Sequence, residues 1–132
     1  MALKFCLLIF SSLLLSSCFS QEADSTSNPF QLYETQENMP ITFLFSDDNR
    51  LDEEVSYYDA LLDFKREHPN RIHQIQIVSI HDESLVEHFH IETHPTLIII
   101  QDDDIKVRIE GYKEAIEILT ELETRLIQEQ ET

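Results

Sequence analysis

The stretch TLIIIQDDDIKVRIE, Thr96 to Glu110, constrains this fold more than any other part of the chain. Leu97 to Ile100 is an unbroken apolar run of strand type, and such a run is stable only when both of its faces are buried. The acidic turn Gln101–Asp104 reverses the chain. The alternating Ile105, Val107 and Ile109 then give a partner strand with one wet face. This hairpin requires packing layers above and below it, and the rest of the chain must supply them.

The remaining elements can be read from periodicity. ITFLF, Ile41 to Phe45, is a short apolar strand. SDDNRLDEE then offers N-cap residues and first-turn acids. Leu51, Val55, Tyr58 and Leu62 recur at helical spacing and predict an apolar face on a helix ending before Pro69. IHQIQIVSI carries a second strand with Ile75, Ile77, Val78 and Ile80, and DESLVEHF is a short helix. After the hairpin and Gly111, a last helix would bury Tyr112, Ala115, Ile116, Leu119, Leu122 and Leu126. The order is β-α-β-α-β-β-α. Strands joined through helices should be parallel with right-handed crossovers, and the final pair antiparallel. The expected class is α/β, a mixed sheet with an antiparallel C-terminal hairpin and helices on both faces, in one domain over residues 39–128.

The first residues have a different character. MALKFCLLIFSSLLLSSCFS has one Lys and an apolar run too short to span a bilayer, as in an export signal. LSSC, Leu15 to Cys18, resembles a bacterial lipobox, which implies a signal over residues 1–17, lipidation of Cys18 and an anchored protein in the cell envelope. Ordinary cleavage after Ser20 is the competing reading and would give a soluble periplasmic or secreted protein. Residues 18–38 read as a polar tether, with Phe30 to Tyr33 as a candidate short edge strand, and residues 129–132 as a polar tail.

Charge and cysteine content exclude whole classes of function. The formal net charge is -17, and all 26 Asp and Glu lie beyond the signal. Such a surface repels nucleic acid and anionic lipid, and attracts cations or basic proteins. The two cysteines are Cys6 and Cys18, so the domain after Cys18 has none. It has no thiol for redox chemistry and no disulfide to hold it. With one Gly there is no phosphate-binding loop. No cofactor is expected.

FHIETHPTLIIIQDDDIKVRIEGYKEAIEILTEL resembles the C-terminal half of a thioredoxin: an aromatic and an Ile, a Pro-Thr pair opening an apolar strand, a polar turn, a second strand, a lone Gly and an amphipathic helix. The resemblance covers about Met39 to Ile127. It implies a three-layer thioredoxin-like sandwich in which Pro95 is cis beside the active-site end. That family keeps its Cys-x-x-Cys at the start of the helix after the first core strand, where this chain has Leu51, Asp52, Glu53 and Glu54. The family's buried aspartate is also missing, with Leu44 and Phe45 in that region. Carboxylates cannot attack a disulfide. The resemblance therefore implies a non-catalytic member rather than a thiol-disulfide oxidoreductase.

Two functions remain from different classes. The first is a module binding an envelope protein or extended peptide along Thr93, His94 and Pro95, where this family pairs its backbone with substrate. The second is divalent-cation binding. His81, Asp82 and His94 are its candidate ligands, because the topology carries them to one end of the sheet. Acidic neighbours would raise the pKa of such histidines and weaken them as ligands. Solvated loop histidines are the plainer reading, and no metal is expected. Asp102, Asp103 and Asp104 lack the glycine and distal Glu of a calcium loop and read as a charged hairpin tip.

Overall fold

A computed structural model describes residues 39–128. The signal, lipidation, tether and tail assignments lie outside these residues. The elements, in chain order, are β1 (Ile41–Ser46), a 3-10 turn (Leu51–Glu54), α1 (Val55–Glu67), β2 (Gln74–Ser79), α2 (Glu83–His88), β3 (Thr96–Gln101), β4 (Asp104–Glu110) and α3 (Ala115–Leu126). The sheet order is β2-β1-β3-β4. β1 and β2 are parallel, while β3 runs antiparallel to both β1 and β4. This is the expected mixed sheet, with one correction: β3 is joined to β2 through α2 but runs antiparallel to β1 and β2, not parallel to them.

Alternation along the strands feeds two separate cores. Leu44, Leu97, Ile99, Val107 and Ile109 point to one face and meet Tyr57, Ala60, Leu61 and Phe64 of α1 and Ile118, Leu122 and Leu126 of α3. Phe43, Phe45, Val78, Ile98 and Ile100 point to the other face and meet Leu85, Phe89 and Ile91 from α2 and the loop after it. Three of those aromatic rings form a cluster, with the Phe89 centroid 5.6 Å from Phe43 and 5.8 Å from Phe45. β3 is buried on both sides, as its composition demands, so helices cover both faces.

The hairpin turn is built from Asp102 and Asp103, both with positive φ, between the paired Gln101 and Asp104. Two successive left-handed residues match the right-handed twist of the strands they join. Asx side chains tolerate that conformation better than most.

The helices correct two expected faces. Leu51, Val55 and Leu62 are more than half exposed, and only Tyr58 of that predicted stripe packs against the core. The buried stripe is Glu54, Tyr57, Leu61 and Phe64, with Ala60. In α3, Tyr112 and Ile116 are exposed, and burial falls on Ile118, Leu122 and Leu126. The helix begins later than expected because Glu114 forms a reciprocal capping box with Glu117, leaving Tyr112 outside.

Candidate functional site at the C-terminal end of β1

Three segments meet where β1 ends. Phe45, one residue before that end, pairs with Thr96, the first residue of β3. The chain ahead of β3 therefore passes the loop and 3-10 turn that follow β1. Thr93 is exposed, His94 is half-buried and Pro95 is buried. The His94–Pro95 peptide bond is cis. Thr96 closes the bend by donating its hydroxyl to the Thr93 carbonyl. Thr93 and His94 lie outside the β3 ladder, which starts at Thr96.

Gly111 supports this bend from behind. Its N–H donates to the Pro95 carbonyl at 2.8 Å, and its carbonyl accepts the Tyr57 hydroxyl. Its φ is +75°, and a Cβ added there would meet the Thr93 methyl at 3.4 Å. The glycine is needed for its backbone conformation.

Of the four residues at the family's Cys-x-x-Cys position, Leu51 and Asp52 are exposed, Glu53 is half-buried and Glu54 is buried. Glu54 is a fixed acceptor. The Ser46 hydroxyl donates to it at 2.9 Å, the Asp47 N–H at 2.9 Å and the Tyr58 hydroxyl at 3.1 Å. Burial, then the bond to Glu54, raises the Tyr58 pKa, so Tyr58 stays a donor. Three converging donors satisfy a charge that would otherwise be costly to bury. Asp47 in turn accepts from the Asn49 backbone, which holds its carboxyl below the usual range, and pairs with Arg50 at 3.4 Å.

His94 faces this cluster, and its pKa moves opposite to expectation. Desolvation lowers it, outweighing the pull of Asp47 and Glu54, while Arg50 adds to the lowering. Its Nδ1 is buried without a hydrogen-bond partner among the described residues. Burial thus favours the neutral ring, because protonation would place a charge in a site that hydrates it poorly.

The candidate ligands are not brought together as one metal site. Asp82 is the N-cap of α2, accepting from the Leu85 N–H and the Ser84 hydroxyl. His81 is exposed beside it. Among the described residues, the carboxylate and imidazole atoms that lie within 4.8 Å of one another belong to Glu67, His68 and Glu123. These sit at the C-terminal ends of α1 and α3. The 54 residues of sequence between His68 and Glu123 hide that neighbourhood, which only the packing of α1 on α3 reveals.

No known family model matches this chain. Its fold is thioredoxin-like. It resembles the solution structure of an uncharacterized thioredoxin-like protein from Clostridium perfringens at a TM-score of 0.55 and 19% identity, over 80% of this chain and 90% of that one. It is also similar to the germline-specific thioredoxin Deadhead of Drosophila melanogaster, with a TM-score of 0.54 and 15% identity over 74% and 90% of the two chains. Thioredoxin f2 of Chlamydomonas reinhardtii gives 0.53 and 17%, over 78% and 90%. Among curated proteins, the Pal-related lipoprotein of Bacillus subtilis (strain 168) is 40% identical over 67 residues, 51% of this chain and 52% of that protein. The match thus spans about half the length of that relative. Among the described residues no helix is long and apolar enough to cross a membrane.

Proposed function

We propose that this is an exported thioredoxin-like module without redox activity, anchored to the cell envelope through Cys18, that binds an extended segment of another envelope protein along Thr93 and His94. One observation carries the reading: backbone at the end of β1 lies outside the β3 ladder and is partly open to solvent at Thr93 and His94. An added strand gains main-chain hydrogen bonds there without any thiol. Where sulfur chemistry would occur in the resembled family, this chain has Glu54, which is already committed to three donors. Asp52 and Glu53 rim the same end and favour a basic or polar segment. The name of the Bacillus subtilis relative supports the lipid anchor.

The test uses the exported chain from Phe19 onward and a partner captured from its own envelope. Thr93→Pro, which removes an edge N–H, and the Asp52→Lys, Glu53→Lys pair should each weaken binding by on the order of tenfold, a loss of about 1.4 kcal/mol. Glu54 is left intact because its loss would perturb the fold. Normal binding by both variants, or clear insulin reduction by the parent with a supplied electron donor, would overturn the reading.

Divalent-cation binding is the second reading; Glu67, His68 and Glu123 offer it a candidate ligand set other than His81, Asp82 and His94. Calorimetry with Zn²⁺ on the parent and His68→Ala separates it from diffuse attraction, since only a defined site gives stoichiometric heat that the substitution removes.

A further inference from the structure

At the opposite end of α1 from Glu54, three metal-ligating side chains meet. One ligand atom each from Glu67, His68 and Glu123 lies within 4.8 Å of the other two. The convergence has a local cause. Successive residues of a helix point about 100° apart and do not face each other. Pro69 disfavours helical backbone at the residue before it. His68 accordingly leaves α1 with φ -128° and ψ 65°. That break lets Glu67 and His68, adjacent in sequence, aim at one point.

His68 is held in this position. Its ring packs on the fully buried Phe64, with centroids 4.9 Å apart. Its N–H donates to the Phe64 carbonyl at 2.8 Å, and its carbonyl accepts the Arg71 N–H at 3.0 Å. Glu123 approaches from α3, whose rotation is set by the buried Leu122 and Leu126.

The electrostatics of the cluster call for a cation. Glu67 is the last residue of α1, and Glu123 lies in the last turn of α3. Helix C-termini carry partial negative charge, so carboxylates are disfavoured there. Nearby basic side chains are engaged elsewhere. Arg66 pairs with Asp63 at 3.0 Å, Lys113 and Arg125 both pair with Glu121, and Lys65 donates to the His73 carbonyl.

We propose that Glu67, His68 and Glu123 bind one Zn²⁺ ion that clamps the end of α1 to α3. The inference rests on the cation-binding reading and adds to it the metal class and the clamp. An imidazole with two carboxylates suits Zn²⁺. Ca²⁺ and Mg²⁺ prefer all-oxygen shells of six or more ligands, which an imidazole does not complete. Tetrahedral Zn²⁺ sets its ligand atoms roughly 3.4 Å apart, with water in the fourth position. Glu67 is exposed, so its side chain has room to close the remaining gap. Such a clamp stabilises a domain that has no cysteine after Cys18.

Calorimetry and urea unfolding of the exported chain from Phe19 onward test this. Zn²⁺ should bind at about one ion per chain. At free Zn²⁺ ten times the dissociation constant, the unfolding equilibrium constant should fall about elevenfold. Amide exchange at residues 65–68 and 122–126 should slow together on adding Zn²⁺, because a clamp restrains both helices. His68→Gln and Glu123→Gln should each weaken binding by more than about tenfold, since even outer-shell partners are worth that much. Glu123→Gln preserves size at a half-buried site, so the comparison survives if His68→Gln fails to fold. No stoichiometric heat in the parent would sink the cation-binding reading and this inference with it. Stoichiometric heat that survives both variants but is lost in a His81→Ala, His94→Ala pair keeps that reading and overturns this site. Binding lost in His68→Gln yet intact in Glu123→Gln overturns the clamp. Equal stabilisation by Ca²⁺ or Mg²⁺ at the same concentration overturns the metal class.

Discussion

Glu54 and His94 are two ionisable residues that the same corner of the fold treats in opposite ways. The carboxyl group of Glu54 accepts from three donors, whereas desolvation disfavours the charged form of the His94 imidazole. For His94 this fixes a sign. Its folded-state pKa lies below the ordinary 6.5, so as pH falls the unfolded chain takes up the proton first. The contribution is fully present above about pH 6.5 and is lost as the pH drops through the lowered folded value. The drop in urea midpoint between pH 7.5 and 5.5 should therefore be smaller in His94→Gln than in the parent, and an equal drop would show that Asp47 and Glu54 offset the burial. The sequence placed His94 at this end of the sheet, but acid-rich surroundings pointed to the wrong shift, because its burial depends on tertiary packing. Glu54 was legible as a residue at the resembled family's Cys-x-x-Cys position, but not as a buried acceptor. Its spacing from Tyr57, Leu61 and Phe64 was the available sign, since a charge repeating with a core stripe must find internal partners.

Among the elements, strands were read more accurately than helix faces, for a physical reason. A strand has two faces and a period of two, so TLIII and IKVRIE allow one arrangement each. α1 carries apolar residues on two stripes, and periodicity alone does not say which one meets the sheet. The stripe at Leu51, Val55 and Leu62 is the flank, and the stripe at Tyr57, Leu61 and Phe64 is the core. α3 poses the same question within two residues. Ile118 is fully buried and Ile116 is 67% exposed. Ile118→Ala should cost about 2–5 kcal/mol by urea unfolding, and Ile116→Gln less than about 0.5 kcal/mol. Comparable losses at both positions would mean that α3 is rotated from the orientation described.

At the scale of the whole molecule, the unusual combination is a disulfide-free domain bearing a large negative charge, expected outside the cytoplasm. Its two cores, one on each face of the sheet, must hold it without covalent help. An acidic body is repelled by anionic lipid, so attachment requires a separate device, which the proposed Cys18 lipid supplies. Cys18→Ala should move the protein from the membrane fraction to the soluble fraction on fractionation, and unchanged partitioning would exclude the anchor. The support behind the Thr93–His94 bend has its own long-range meaning. Gly111 joins the Pro95 carbonyl to the Tyr57 hydroxyl in a conformation that side chains resist. Every missense change in a glycine codon installs a Cβ, so this position has no conservative neighbour in sequence space. A saturation library at residue 111, selected by protease survival, should return glycine first, with asparagine and aspartate the next best. A lineage can then exchange its surface acids freely while this one codon stays fixed, and a tolerant position 111 would mean that the bend is not held from behind.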